Sequence, residues 1–294
     1  MQTLTQNSMA QNTTNTNMQI TFIGGGNMAQ AIIGGLKANG FNTSQITVIE
    51  PTAEKRTTLS STYGVQTLDS IDEIRNTSVA STLYVLAVKP QQLKAVCTDL
   101  SLVLNQAVQQ PLIVSIAAGV KTSHLSAWLN GYQNIVRVMP NTPAMIQAGV
   151  SALFATPQVS AAERGAVSLI LKAVGSIVWL ETEDKMDAVT AISGSGPAYV
   201  FYFIEALEAA GLALGLTAQE AKQLALETFA GASQLALQSN EDVATLRAQV
   251  TSKGGTTEQG ILALETANTK AIIMQAARAA AEKSVQLGKA LSES

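Results

Sequence analysis

Residues 19–29 read QITFIGGGNMA, in which a short apolar strand runs into three glycines and then into a helix rich in Ala and Ile. The glycines and Ala29 match the G-x-G-x-x-A form of the dinucleotide-binding fingerprint. Its first glycine makes a tight turn, its second lets the backbone approach a pyrophosphate, and its small third residue permits close packing of helix on strand. We therefore expect a nucleotide cofactor here. The residues predicted to contact it are Gly24, Gly26, Asn27 and Met28.

The alternation of strand and helix continues beyond this turn, which predicts an α/β fold. The expected strands are rich in β-branched residues and do not alternate apolar with polar, as in a mostly parallel, doubly wound sheet covered on both faces. Beyond residue 182 we find helical periodicity and no convincing strand. The further strands are expected at Ile46 to Glu50, Leu83 to Val88, Leu112 to Ile116, Ile135 to Val138, Ser151 to Phe154 and Ile177 to Leu180.

These patterns divide the chain into three parts. Residues 1–17 are polar, without a basic start or an apolar segment, so we expect a disordered tail rather than a signal peptide or an anchor. Residues 18–182 are predicted to form a Rossmann-like dinucleotide-binding domain, and residues 183–294 an all-helical domain. In the helical domain, Thr217 and Glu220 have the spacing of a capping box at a helix start.

The composition favours a globular oligomer in a reducing compartment. Only 13% of the 294 residues are charged while 47% are hydrophobic, so we expect neighbouring subunits to cover much of the surface. The net charge of -3, without a cluster of Lys or Arg, argues against binding to nucleic acid or to an anionic membrane. Cys97 is the only cysteine and His124 the only histidine, so we expect no disulfide, no metal site and a cytoplasmic location.

The second predicted strand ends at Glu50, where an acidic residue would accept hydrogen bonds from the adenosine ribose and repel a 2′-phosphate. This position favours NADH. Lys55 and Arg56 follow closely and could face a 2′-phosphate, so NADPH stays open. Two more loops follow strands at the carboxyl edge of the sheet and are expected to bind the cofactor. Their predicted contact residues are Ala87, Val88, Lys89 and Pro90 in the first loop and Asn141 and Thr142 in the second.

A second glycine-rich segment, VTSKGGTTEQG at residues 250–260, opens a helix far from the first glycine turn. Backbone N–H groups at a helix start lack partners and glycines allow close approach, so a small carboxylate could bind over Gly254 to Thr257. The simpler interpretation is that Thr256 only caps the helix, paired with Gln259 as a capping box. The residues alone leave both interpretations open, and the two are compatible.

Five motifs in this order resemble those of the pyrroline-5-carboxylate reductase family, over residues 18 to about 288. They are FIGGGNMA at residues 22–29, AVKP at 87–90, MPNTP at 139–143, SGSGPAY at 193–199 and GGTT at 254–257. The resemblance implies reduction of 1-pyrroline-5-carboxylate to L-proline with NADPH or NADH, the last step of proline biosynthesis. It also implies that the helical domain intertwines with that of a partner in a homodimer, and that dimers often assemble into decamers.

The resemblance further implies a substrate site between the nicotinamide of one subunit and helical elements that include the partner's. Backbone N–H groups of the loop then bind the substrate carboxylate, and the Thr257 hydroxyl, the expected catalytic group, hydrogen-bonds the ring nitrogen. The implied substrate-binding residues are Val250, Ser252, Gly254, Gly255, Thr256 and Thr257. Two residues depart from the family pattern. Lys253 stands where proline is common, and Glu50 stands where many relatives carry a small hydroxyl residue.

Other functions stay open on the sequence. A β-hydroxyacid dehydrogenase would need a catalytic lysine near the start of the helical domain, where Lys185 lies, although the Gly-Gly-x-Thr loop is not its companion motif. A general imine reductase and a non-catalytic NAD(P)-binding sensor are also compatible with these residues. His124 lies at a helix start where polar caps are expected, and Ser193 and Ser195 have no base placed to activate them. We expect none of these three residues to be catalytic.

Overall fold

The computed structural model describes residues 18–76, 81–107 and 109–293, so the predicted tail at residues 1–17 lies outside the described residues. The described residues form two compact units. The first contains the chain up to Gly194 and again from Ala281 onward, and the second contains Ser195–Ala280. Along the chain, the first unit gives way to the second after Gly194, whereas the sequence predicts a domain boundary after residue 182. The reason is that residues 183–194 pack into the first unit, where Met186 and Ala191 are buried.

The first unit is built on one sheet. Its strands are β1 (Ile20–Ile23), β2 (Ile46–Ile49), β3 (Gln66–Leu68), β4 (Leu83–Leu86), β5 (Leu112–Ser115), β6 (Ile135–Met139), β7 (Gly149–Ala155) and β8 (Gly175–Trp179). They lie in the order β3-β2-β1-β4-β5-β6-β7-β8. Every neighbouring pair is parallel except β6 with β7, so the predicted mostly parallel sheet is confirmed. The sequence did not predict β3, because it is short and carries two polar, incompletely buried residues.

Helices cover both faces of this sheet. They are α1 (Asn27–Ala38), α2 (Ala53–Tyr63), α3 (Asp72–Asn76), α4 (Leu93–Leu104), α5 (Thr122–Trp128), α6 (Ala161–Lys172) and α7 (Met186–Val189). Successive strand residues point to opposite faces, so neighbours on β1 enter different cores. Phe22 packs in the core that contains Ile33 of α1, and Ile23 packs in the core that contains Leu100 of α4. This arrangement confirms the doubly wound class.

Helix α1 lies unusually close to the chain segment that follows α6. A Cβ atom added at Gly35 would lie 2.5 Å from the backbone oxygen of Ala173, which is too short for any side chain. The neighbouring Gly34 differs, because its nearest contact would be a Tyr63 ring carbon at 3.4 Å. The glycine at residue 35 therefore sets how closely α1, the helix that follows the glycine turn, packs on the rest of the unit.

The second unit is helical, as predicted. Its helices are α8 (Gly196–Ala213), α9 (Ala218–Gln238), α10 (Val243–Gln249), α11 (Thr256–Thr266) and the first part of α12 (Thr269–Glu293), whose last turns belong to the first unit. The predicted capping box at Thr217 and Glu220 is confirmed at the start of α9. Among the described residues of this unit, Ala221 and Ala225 are the only buried apolar ones. No helix of the described residues is long and apolar enough to cross a membrane.

The contrast between the two neighbouring glycines of α1 gives a stability test. We expect Gly35→Ala to lower the urea midpoint, because the overlap with the Ala173 backbone costs about 1–3 kcal/mol and exceeds the gain in helix propensity of about 1 kcal/mol. Gly34→Ala is the matched control and should keep or raise the midpoint. Equal midpoints for the two variants would contradict the packing described for α1.

Candidate active site

A cleft of about 630 Å³ opens at the carboxyl edge of the sheet, where the chain leaves β1, β2, β3 and β4. In parallel α/β sheets this edge is where ligands bind. Of the residues predicted to contact a cofactor, the following line this cleft: Gly24, Gly26, Glu50, Ala87, Val88 and Lys89. The structure thus brings together three segments that lie far apart in the sequence.

The glycine turn after β1 leaves room for a ligand. Gly24 has a φ of +102°, and a Cβ atom there would lie 2.8 Å from the backbone oxygen of Ala87, so both conformation and space require glycine. At Gly26, by contrast, an added Cβ atom would meet nothing within 4 Å. This residue precedes α1, which begins at Asn27 and has no side-chain cap at its start. Open space beside uncapped backbone N–H groups at a helix N-terminus fits a pyrophosphate.

Glu50 is held rigidly at the end of β2. Its side chain is buried, with Oε2 accepting the N–H of Gly25 at 3.2 Å and Oε1 accepting the N–H of Thr52 at 3.1 Å. Burial raises the pKa of this carboxyl, but hydrogen bonds from Thr52 and Gly25 and the charge of Lys55 outweigh burial and hold the pKa below its usual range. Glu50 is therefore a fixed negative charge in the cleft.

The two basic residues after Glu50 are already engaged. The Arg56 guanidinium donates from one nitrogen to the backbone oxygens of Glu50 and Pro51, at 2.8 and 2.7 Å. Lys55 lines the cleft, but its Nζ lies 3.9 Å from Oε1 of Glu50. The structure thus directs Arg56 toward backbone oxygens and Lys55 toward the carboxylate.

The remaining predicted cofactor residues do not line this cleft. Asn27 and Met28 form the first turn of α1, and Pro90 begins a single 3-10 turn, Pro90–Gln92. Asn141 and Thr142 follow β6, where Asn141 Oδ1 accepts the N–H of Val150 at 2.9 Å and so closes the loop between β6 and β7. The amide oxygen of Asn141 is therefore engaged within its own loop.

A buried ion pair supports the strand that leads into this loop. Arg137 on β6 is 3% exposed, and its guanidinium donates to Oε1 of Glu183 at 2.9 Å. The Glu183 carboxylate also accepts the N–H and the hydroxyl of Thr122, at 2.8 and 2.6 Å. Thr122 is the first residue of α5, so one carboxylate caps that helix and pairs with the arginine two residues before the end of β6.

The glycine–threonine loop of the second unit differs from the predicted cap. Helix α11 begins at Thr256 with Gly255 as its N-cap and without a side-chain cap, so the predicted capping box of Thr256 and Gln259 is wrong. The physical reason is that Gly255, in extended conformation, already ends the loop, which places Thr256 inside the first turn. Glu258 takes the role of a cap instead, accepting the N–H of Gly254 at 2.8 Å.

The backbone donors of this loop fall into two groups. The N–H groups of Gly254 and Gly255 are used, by Glu258 and by the backbone oxygen of Ser252 respectively. Within the part of the chain that the structure describes, no bond occupies the N–H groups of Thr256 and Thr257. Gly254 has a φ of +75°, a left-handed conformation that favours glycine. The loop thus binds one carboxylate of its own and keeps two donors at a helix start.

Sequence reasoning missed several residues of the cleft. Asp69 and Asp72 line it beside Glu50, and Asp99 lines it from α4. Asp69 directly follows the short strand β3, so it could not be placed at the edge of the sheet while that strand was not predicted.

In the second unit, the sequence analysis also missed Glu258. This residue is the third of α11, a position from which an acidic side chain commonly reaches back to the chain before the helix.

Comparison with known proteins finds the same two-part organisation. A family model described as pyrroline-5-carboxylate reductase dimerisation matches residues 183–287, and one described as NADP oxidoreductase, coenzyme F420-dependent, matches residues 19–119. The pyrroline-5-carboxylate reductase of Pseudomonas aeruginosa is 44% identical over 276 residues, which cover 94% of this chain and 98% of that protein.

Two solved structures have the same fold over nearly the same span. A pyrroline-5-carboxylate reductase from Coxiella burnetii has a TM-score of 0.86 and 40% identity, covering 92% of this chain and 98% of that one. The Plasmodium falciparum pyrroline carboxylate reductase, solved with NADP bound, has a TM-score of 0.79 and 31% identity, with the same coverage of both chains.

The ion pair behind the loop after β6 gives a second stability test. We expect Glu183→Ala to lower the free energy of unfolding by roughly 3 kcal/mol, because it leaves the buried Arg137 guanidinium without its partner. Urea titration measures this loss. Asp184→Ala, at the exposed neighbouring position, is the control and should change the midpoint little. A similar midpoint for both variants would show that the pair contributes nothing to stability.

Proposed function

The chain belongs to the pyrroline-5-carboxylate reductase family, and we infer that it reduces 1-pyrroline-5-carboxylate to L-proline with NADPH or NADH, the last step of proline biosynthesis. The observation that carries this conclusion is the 44% identity to a named reductase along 98% of that protein's length. The glycine turn, the fixed Glu50 and the uncapped helix start agree with a dinucleotide site in the first unit. This agreement connects the family's activity to particular residues of this chain.

The proposed cofactor contacts lie at the carboxyl edge of the sheet. The backbone at Gly24 and Gly26, with the first turn of α1, suits the pyrophosphate, and Glu50 suits the adenosine ribose. The loops after β4 and β6, which contain Lys89 and Asn141, are proposed to hold the nicotinamide half. The bound nicotinamide supplies a hydride to the imine carbon of the substrate.

The proposed substrate contacts lie at the start of α11. The N–H groups of Thr256 and Thr257 point from a helix N-terminus, where partial positive charge favours a carboxylate. Lys253, exposed in the same loop, adds a cation near that site. The Gly254 N–H would become a third donor when the Glu258 carboxylate moves away from it. That Glu258 already binds there supports the proposal that this loop accepts carboxylates.

The proposed chemistry needs positioning more than a strong acid. A protonated imine is a good electrophile, so the protein has only to hold the imine carbon against the nicotinamide and orient the ring. We assign the orientation to the Thr257 hydroxyl, which would hydrogen-bond the ring nitrogen. Thr257 is exposed on the first turn of α11, so its hydroxyl is accessible to a ligand.

The activity is tested by following NADH and NADPH oxidation with 1-pyrroline-5-carboxylate as substrate. Turnover with that substrate, and none with 3-hydroxyacids and NAD(P)+, is the expected result for this function. A non-catalytic sensor would bind the cofactor without turnover. A β-hydroxyacid dehydrogenase would give the opposite substrate preference, and the exposed Lys185 would be its candidate catalytic lysine.

The role of Thr257 is tested in the same assay. We expect Thr257→Ala to lower kcat by about tenfold or more while the dissociation constant for the cofactor stays unchanged, because the lost hydroxyl contacts only the substrate. Thr266→Ala, at the exposed other end of α11, is the matched control and should keep wild-type turnover. Wild-type kinetics in Thr257→Ala would remove this residue from the mechanism.

We propose that residues 183–294 form the dimerisation domain of a homodimer, and that dimers assemble further into decamers. The match of residues 183–287 to the dimerisation model supports this boundary, although the compact units divide at Gly194. Large apolar side chains exposed on α8 and α9 support the homodimer, since patches of this kind mark protein interfaces. They include Phe201, Tyr202, Leu224 and Leu235, which are 64%, 69%, 55% and 57% exposed.

The dimer is tested by two double variants of α9, one at apolar and one at polar positions. Leu224 and Leu235 lie about three helical turns apart and so share one face. We expect Leu224→Glu/Leu235→Glu to lower the sedimentation coefficient toward that of a monomer, because two charges would be buried in the interface. Gln223→Glu/Gln234→Glu adds the same charges at the same spacing on exposed polar positions and should preserve the oligomer. An unchanged oligomer in the leucine variant would exclude this face from the interface.

The cytoplasm is the proposed location, supported by the state of the single cysteine. Cys97 is a free, fully buried thiol on α4, and burial raises its pKa to about 12. A chain with one buried thiol has no disulfide to form in an oxidising compartment. We interpret Cys97 as a small apolar residue of the core and not as a reactive group.

A further inference from the structure

The register of β2 and β3 places two acidic residues next to each other along the edge of the sheet. Ile49 pairs with Leu68, and the N–H of Glu50 donates to the backbone oxygen of Leu68 at 3.0 Å. The next residues along the two strands, Glu50 and Asp69, therefore leave the sheet together, on strands about 4.8 Å apart. Asp72, at the start of α3, follows, and all three carboxylate residues line the cleft. We call Glu50, Asp69 and Asp72 the acidic rim.

The two basic residues that follow Glu50, Lys55 and Arg56, are already engaged beside the acidic rim. The Arg56 guanidinium donates to the backbone oxygens of Glu50 and Pro51, so this part of the side chain is not free to bind a phosphate. Lys55 lies beside the Glu50 carboxylate, so part of its charge is already compensated there. Recognition of a 2′-phosphate in such folds relies on an arginine that is free to meet it.

We propose that the acidic rim makes this chain select NADH over NADPH, an inference that rests on the proposed function in taking the cleft as the cofactor site. A 2′-phosphate brings up to about two negative charges, which the rim would repel. The free 2′- and 3′-hydroxyls of NADH instead donate hydrogen bonds to a carboxylate such as Glu50. The chain thereby differs from its Plasmodium falciparum relative, whose structure contains NADP.

The first measurement compares the two cofactors on the wild-type protein. Titration of NADH and NADPH, followed by cofactor fluorescence, gives both dissociation constants without any substrate. We expect NADH to bind about tenfold more tightly or better at low salt. Added salt screens electrostatic repulsion, with a screening length of about 10 Å at 0.1 M. The dissociation constant for NADPH divided by that for NADH should therefore fall as the salt concentration rises.

The second measurement tests the part of the rim that the fold brings to Glu50. Asp69→Asn/Asp72→Asn changes two exposed side chains and keeps their size, so the fold should be preserved. We expect this variant to bind NADPH about three- to tenfold more tightly than wild type, with little change for NADH. Asp184→Asn, an exposed carboxylate outside the cleft, is the control and should leave both constants unchanged. Glu50→Gln should reduce the discrimination further.

The outcomes separate this inference from the proposed function. NADPH binding as tightly as NADH in the wild type would overturn the inference, even if 1-pyrroline-5-carboxylate is turned over with either cofactor. A preference for NADH that is unchanged in Asp69→Asn/Asp72→Asn would overturn the role of the rim, because Glu50 would then be the sole source of the preference. Selective NADH binding without turnover of 1-pyrroline-5-carboxylate would support the inference while the proposed function fails.

Discussion

The nucleotide-binding unit depends on backbone segments that approach one another more closely than side chains would allow. At the glycine turn, the N–H of Gly24 donates to the oxygen of Ile49, and the N–H of Ala87 donates to that of Ile23. A side chain at Gly24 would overlap the Ala87 carbonyl group. Since these contacts fix where β1, β2 and β4 end, they also fix the position of each side chain at the carboxyl edge. The position of the cleft residues therefore depends on the close backbone packing that Gly24 allows.

Carboxylates bound to backbone N–H groups hold the loops around this framework. Glu50 binds Gly25 and Thr52, and Glu183 binds Thr122 in addition to Arg137. Glu258 binds Gly254 in the second unit. Buried N–H groups need partners, and a charged acceptor gives a stronger bond than a neutral one. In a chain with few charged residues, these acidic side chains serve as loop anchors, and two of them, Glu50 and Glu183, also pair with a basic side chain.

The sequence predicts those features that depend on strong local patterns and fails where distant segments meet. The fingerprint and the long β-branched strands predict the parallel sheet, and the Thr217 capping box predicts the start of α9. Strand β3 escapes prediction because its register against β2, and not its own composition, makes it a strand. Asp69 therefore escapes too. The error at Thr256 has a different cause, since glycine and threonine are both common N-caps and only the backbone conformation distinguishes them.

The two units bury their apolar residues in different ways, which explains the unusual composition. The first unit buries Phe22, Ile33 and Leu100 between its sheet and its own helices. The second cannot do so, because α8 is apolar around most of its circumference and packs on α9 along one side, where Gly211 meets Ala221. A helix that is apolar all round belongs in a core with neighbours on several sides. The exposed Phe201 and Tyr202 therefore fit the proposed homodimer, in which a second copy would supply the same apolar faces by symmetry.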